Sequence, residues 1–137
     1  MSTVFAEITL KNGTDLVLVQ NGHITEQNVR SITVNALVDT GALTLVINEK
    51  ICSELGLSIV GTRTAFLAGG IETPCNITET VHIYWKNRDA ACRAWVLPGE
   101  EHILLGAIPL EEMDLAVDPV NQKLFGIHGD EPIGMIY

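Results

Sequence analysis

The chain has 137 residues, 47% of them hydrophobic and 18% charged, with a formal net charge of −9 and a pI near 4.7. That length fits one domain with a substantial core. The acidic balance argues against nucleic acid as a partner, because like charge repels a phosphate backbone. No apolar run approaches the roughly 20 residues that span a bilayer.

Taken in chain order, the apolar pattern has mostly a period of two. Val4, Ala6, Ile8 and Leu10 alternate with Phe5, Glu7 and Thr9. Asn12-Gly13 then predicts a hairpin turn, since both residues tolerate positive φ. "DLVLVQ" would return as the second strand, with Asn21-Gly22 as a further turn. "NVRSITVNALV" predicts a strand running straight into Asp39. "NEKICSELGL" predicts a short helix capped by Asn48 and stopped at Gly56, with Ile51 and Leu55 four apart. "TRTAFLA" and "GIETPCNIT" form a hairpin about Gly69-Gly70, and "TVHIYW" and "ACRAWVL" another about "KNRD". The second hairpin would set Trp85 and Trp95 nearly opposite one another. "IPLEEM" predicts a helix with Pro109 at its first position, and "DLAVDP" and "QKLFGI" a last hairpin around Pro119-Val120-Asn121. Many short strands at this spacing indicate a sandwich or barrel. An apolar run reaches a Gly-containing turn twice, at "ALVDTGA" and "HILLGAI", and a helical signal follows each.

The chemistry concentrates in "NALVDTGALTLVI", Asn35 to Ile47. A carboxylate at the end of an apolar run costs several kcal/mol to bury unless it is satisfied. Asp39 at a strand end, followed by Thr40 to lock a tight turn and Gly41 to admit close backbone, is the arrangement an aspartic peptidase needs. The plainer reading of Asp39 is a structural turn in which its side chain binds nearby amides.

Two later segments sharpen the signal, and with them the chain resembles the retropepsin-like aspartic peptidases, the single-domain class that includes retroviral proteases. "ALVDTGA" matches the family's catalytic turn. About thirty residues on, "TRTAFLAGGIETP" falls at the place of the glycine-tipped flap, and "HILLGAIPLEEMDLAVDP" resembles the segment that threads behind the catalytic loop. The resemblance covers about Val29 to Leu124. It implies a mainly β, closed acid-protease barrel with one or two short helices, formed by a single domain over residues 1–137. One catalytic half-site per chain would be completed in a homodimer. Asp39, Thr40 and Gly41 would be catalytic. Leu37, Ala42, Ala68, Gly69, Gly70 and Ile71 would meet a peptide or protein substrate. Two Asp39 carboxylates about 3 Å apart would share a proton and activate a water, as aspartic proteases do in general. No metal or cofactor is implied.

Viral members often pair an acid directly after the turn with an Arg after the later Gly. Leu43 and Ala107 stand at those places here, so both halves of the pair are missing together and the apolar swap is self-consistent. The additions outside the core are the N-terminal hairpin and the tail "GDEPIGMIY". The competing class is a catalytically weak or inert barrel that serves as a protein-interaction module.

The remaining polar residues read more plainly. Asp118 in "LAVDPV" is a turn initiator, because Pro119 follows it. Glu100, Glu101, Glu111, Glu112 and Asp114 read as a solvated face. His23, His82, His102 and His128 lack metal-ligand spacing, and Ser31, Ser53 and Ser58 lack a nucleophile-elbow motif. Cys52, Cys75 and Cys92 read as buried free thiols. The start "MSTVFAEITLKNG" lacks the form of a signal peptide, so a cytoplasmic location is expected.

Overall fold

The computed structural model describes residues 3–136. Strand β1 (Phe5–Asn12) buries Ala6, Ile8 and Leu10 on one face, as its alternation predicts. It pairs antiparallel with β2 (Ser31–Val38), Phe5 opposite Leu37 and Lys11 opposite Ser31. Between them the expected hairpin is absent, and α1 (Gly13–Gln20) takes its place. Asn12 acts as a helix cap: its Oδ1 accepts from the Asp15 amide at 3.0 Å, and its Nδ2 donates to the Leu55 carbonyl at 2.8 Å. Side-chain capping by a buried Asn competes with the turn its sequence also favours, and here the cap wins. A Cβ on Gly13 would lie 2.5 Å from the Thr80 carbonyl oxygen, so glycine serves close approach rather than positive φ. The Arg30 guanidinium grips Asp15 through two hydrogen bonds of 2.9 Å, tying α1 to the start of β2.

The remaining elements are β3 (Leu45–Ile47), α2 (Glu49–Glu54), β4 (Ile59–Phe66), β5 (Glu72–Trp85), β6 (Arg88–Val96), β7 (Leu104–Leu105), α3 (Ala107–Glu112), β8 (Leu115–Asp118) and β9 (Lys123–Gly126). The main sheet runs β1-β2-β7-β3-β6-β5-β4, and β5 pairs with β1 as well. The chain is therefore mainly β. The core lies among Ile8, Leu10, Leu45, Ile47, Leu55, Val81, Ile83, Leu105 and Met113, each at most 1% exposed.

Asn48 caps α2 as predicted, its Oδ1 accepting from the Ile51 amide at 2.9 Å. Pro109 falls at the third position of α3, two residues later than expected, with Gly106 as the cap. The N–H that proline lacks would be an unpaired donor in that first turn anyway. Trp85 and Trp95 do not face each other. Trp85 pairs with Arg88 and Trp95 with Ile77, because β6 begins at Arg88 and the register shifts between Ile77 and Thr80.

Asp114 departs most from the surface reading. It is buried, 6% exposed, at φ 56° just after α3. Its carboxylate lies 2.9 Å from His128 Nδ1, accepts the Ile133 amide at 3.1 Å and stands 3.9 Å from the Arg88 guanidinium. Arg88, 3% exposed, also donates to the carbonyls of Met113, Asp114 and Gly129. Three segments distant in sequence converge there, so the run "EEMD" alone carries no sign of it.

Candidate active site

The parallel pairing of β2 with β7 builds the site. Leu37 lies beside Leu104 and Val38 beside Leu105, so the two similar segments noted in the sequence are spatial neighbours. Asp39 leaves the end of β2 with its amide donating to the Leu105 carbonyl at 3.0 Å. Its Oδ1 accepts the Gly41 amide at 2.9 Å, and its carbonyl accepts the Ala42 amide at 3.1 Å. The turn is then held from behind. The amides of Ala107 and Ile108 donate to the carbonyls of Ala42 and Leu43 at 2.9 and 3.0 Å. A Cβ on Gly106 would lie 2.4 Å from the Thr44 carbonyl oxygen and 2.5 Å from that of Ala42, so no side chain fits there.

These bonds hold the carboxylate by backbone alone. Thr40 is exposed, and among the described residues its hydroxyl makes no hydrogen bond, so the expected locking by Thr40 is supplied by Gly41, Ala107 and Ile108 instead.

Asp39 opens onto a cleft of about 770 Å³. Gly41, Ala42, Leu43 and Thr44 line it on the turn side, and Ala65, Phe66, Leu67 and Ala68 line it from the flap hairpin. That hairpin joins β4 to β5, Phe66 opposite Glu72, through Gly69 and Gly70 at φ 85° and 79°. The Leu67 amide donates to the Ile71 carbonyl at 2.8 Å, and the Gly70 amide to the Leu67 carbonyl at 3.1 Å. Gly69, Gly70 and Ile71 form the tip and lie outside the cleft lining; Thr40, in the Asp39 turn, also lies outside it. Leu37 is half-buried within the sheet and is not among the residues that line the cleft of the single chain; its neighbour Leu104 lines it. Val46, Cys75, Trp95, Leu97 and Glu100 also line the cleft and were not marked by the sequence. Trp95 and Leu97 lie two residues apart at the end of β6, and periodicity identifies such a shared face without saying which cavity it fronts.

Burial pushes the Cys75 thiol above its ordinary range, which keeps it neutral. Asp118 lies outside the cleft lining. It accepts the Val120 and Asn121 amides at 3.1 and 3.2 Å and the Asn121 side chain at 2.7 Å, as a turn initiator does. These bonds, the Asn121 side chain foremost, hold its carboxyl below the usual range. Among the described residues no group of three or more His, Cys, Asp or Glu is placed to hold a metal ion.

With this geometry in place, comparison with known proteins gives one result. The family described as aspartyl protease, a retropepsin-like family, matches residues 21–107, which is more than half the chain. The match begins before β2 and ends just past Gly106, so it takes in the Asp39-Thr40-Gly41 turn, the β4–β5 hairpin and the start of the segment behind the turn. The chain belongs to this aspartyl protease family. None of the curated proteins matches it.

Proposed function

We propose that the protein is an aspartic endopeptidase that hydrolyses peptide bonds as a homodimer, each protomer contributing one Asp39. The observation that carries this reading is the Asp39 carboxylate, fixed by the Gly41 amide, at the wall of a cleft that the flap hairpin borders from the other side. We read the sheet, in which β1 pairs with both β2 and β5, as the family's closed barrel. Leu43 is 59% exposed and Ile108 43%, apolar side chains joined through their backbones beside the catalytic turn. A second copy covering them would brace the dimer by apolar burial where viral relatives use an ion pair.

In that dimer the two Asp39 side chains hold one proton between them, because like charges at close range do not both ionise. The unprotonated carboxylate takes a proton from a bound water, whose oxygen attacks the scissile carbonyl carbon. The protonated partner hydrogen-bonds the carbonyl oxygen as it gains charge. Collapse of the tetrahedral intermediate breaks the C–N bond, and the leaving amine takes a proton from the dyad. The flap tip at Gly69-Gly70 swings over substrate and excludes solvent. The three free thiols suit a reducing compartment, and we propose a cytoplasmic location.

The test is cleavage of a peptide library between about pH 4 and 7 at several protein concentrations, with Asp39→Asn alongside. Cleavage that vanishes in Asp39→Asn supports the reading. Peptide binding without cleavage at any concentration would make the cleft an interaction module.

A further inference from the structure

We propose that Glu100 selects substrates in which a lysine or arginine stands close to the apolar side chain that enters the cleft. This deepens the peptidase reading of the same site and rests on it. The cleft walls are apolar, with Val46, Phe66, Leu67, Trp95, Leu97 and Leu104 supplying most of the bulk. The charged side chains lining the cleft, among the described residues, are Asp39 and Glu100, so its charge is negative throughout. Asp39 is committed to the chemistry. Glu100 is not.

Glu100 sits on the turn that leaves β6, half-buried, where Gly99 has φ 76°. Its amide donates to the Leu97 carbonyl at 3.3 Å, and its Oε1 accepts the His102 amide at 3.0 Å. The carboxylate is thus pinned by its own loop, which lowers the side-chain entropy lost when a guest binds. Among the described residues it has no ion-pair partner, although Asp15 has one and Asp114 two. A carboxylate already oriented, partly desolvated and left without a cation favours a cationic guest. It penalises an acidic one by repulsion and a neutral one by leaving the charge unpaired. Lysine and arginine fit the rest of the cleft too, since their aliphatic stems pack on apolar walls while the charged end reaches the rim. A two-fold dimer would present Glu100 from both protomers, so the preference extends to both sides of the scissile bond.

The experiment uses one apolar-centred peptide scanned with Lys, Gln and Glu at each flanking position. kcat/KM is measured for wild type, Glu100→Gln and Glu100→Lys. Wild type should favour the best Lys peptide over its Gln twin by about three- to fivefold, the scale of a partly solvated ion pair. That ratio should fall to about one in Glu100→Gln and invert toward the Glu peptide in Glu100→Lys. It should also shrink as salt is raised, which tests the idea on wild type alone should the variants fold poorly. The same peptides with a reduced, non-hydrolysable bond are bound to wild type and Glu100→Gln by fluorescence anisotropy. A Glu100-dependent Lys preference in binding without any cleavage would keep this inference and remove the peptidase reading. Cleavage with no Lys preference in wild type, or with the same ratio in Glu100→Gln, would overturn this inference and leave the peptidase reading standing.

Discussion

The Asp39 amide donates to the Leu105 carbonyl at 3.0 Å, joining the end of β2 to the end of β7 at the residue proposed to carry the chemistry. The position of the carboxylate is therefore set by a segment 66 residues later in the chain, since 105 − 39 = 66. Whatever disturbs β7 or the glycine after it moves Asp39.

Gly106→Ala is the direct probe of that dependence. The added Cβ would meet two backbone oxygens at 2.4 and 2.5 Å, so the turn that follows Asp39 must shift. The expected cost is about 1–3 kcal/mol of stability, the usual range for overpacking, together with loss of most peptide cleavage. Gly61→Ala is the control: nothing lies within 4 Å of its Cβ, and denaturant titration should place it within about 0.5 kcal/mol of wild type. Equal stability of Gly106→Ala and wild type would mean the turn is not held from behind as described.

A strained flap should slow turnover without unfolding the protein. Gly70 has φ 79°, and a Cβ there would meet nothing closer than Phe66 at 4.0 Å, so space is available but the conformation is costly for a branched residue. Gly70→Val should lower kcat while circular dichroism stays near native. Gly22→Val, at φ 75° and far in sequence from the flap, imposes similar strain and should leave kcat unchanged. Loss of kcat in both variants alike would assign the effect to general destabilisation.

Acid should weaken the fold in a particular window. The Arg30 hydrogen bond, outweighing burial, holds the Asp15 carboxyl below the ordinary range. Burial pushes the Asp114 carboxyl up, but the bonds from His128 and the Ile133 amide and the charges of His128 and Arg88 outweigh it and hold that group down too. A depressed folded-state pKa contributes stability that is present above the unfolded value, about 3.9, and is lost as pH falls through the folded value. Thermal melts should therefore vary little in this respect from neutral pH to about pH 5 and lose stability below about pH 4. Asp15→Asn should flatten that fall. An unchanged acid slope in Asp15→Asn would remove Asp15 as a source of it.

Arg88→Met tests how the tail is anchored. It takes the guanidinium donor from the carbonyls of Met113, Asp114 and Gly129 and removes one of the two positive groups beside the Asp114 carboxylate, leaving His128. The expected loss is about 3–5 kcal/mol, as for breaking a buried pair from one side. Hydrogen exchange should show residues 127–136 losing protection first. Retained protection there would mean the tail is held by other contacts.

How legible the protein was in its sequence follows from the range over which each feature is determined. The tight turn at Asp39, the Gly69-Gly70 hairpin and the Asn48 cap are local as conformations, and each needs little beyond a few neighbouring residues. α1 is hidden in the sequence because "DLVLVQ" alternates like a strand, while the residue that decides the matter is Asn12, whose buried amide also bonds Leu55, 43 residues away. Asp114 looked like surface because its partners Arg88 and His128 lie 26 residues before it and 14 after. Trp95, Leu97 and Glu100 could be placed on strand and loop, but that they share a cleft with Asp39 depends on the pairing of β6 with β3, which the local sequence does not carry.

The central claim is that one working site takes an Asp39 from each of two chains, and mixing wild-type chains with Asp39→Asn chains tests it most directly. Total protein is held fixed, subunit exchange is confirmed by a size or fluorescence tag, and cleavage is followed as the wild-type fraction is lowered. Mixed dimers should be inactive, so activity should fall as the square of the wild-type fraction. A fall in simple proportion to that fraction would show each chain working alone and would contradict the shared site.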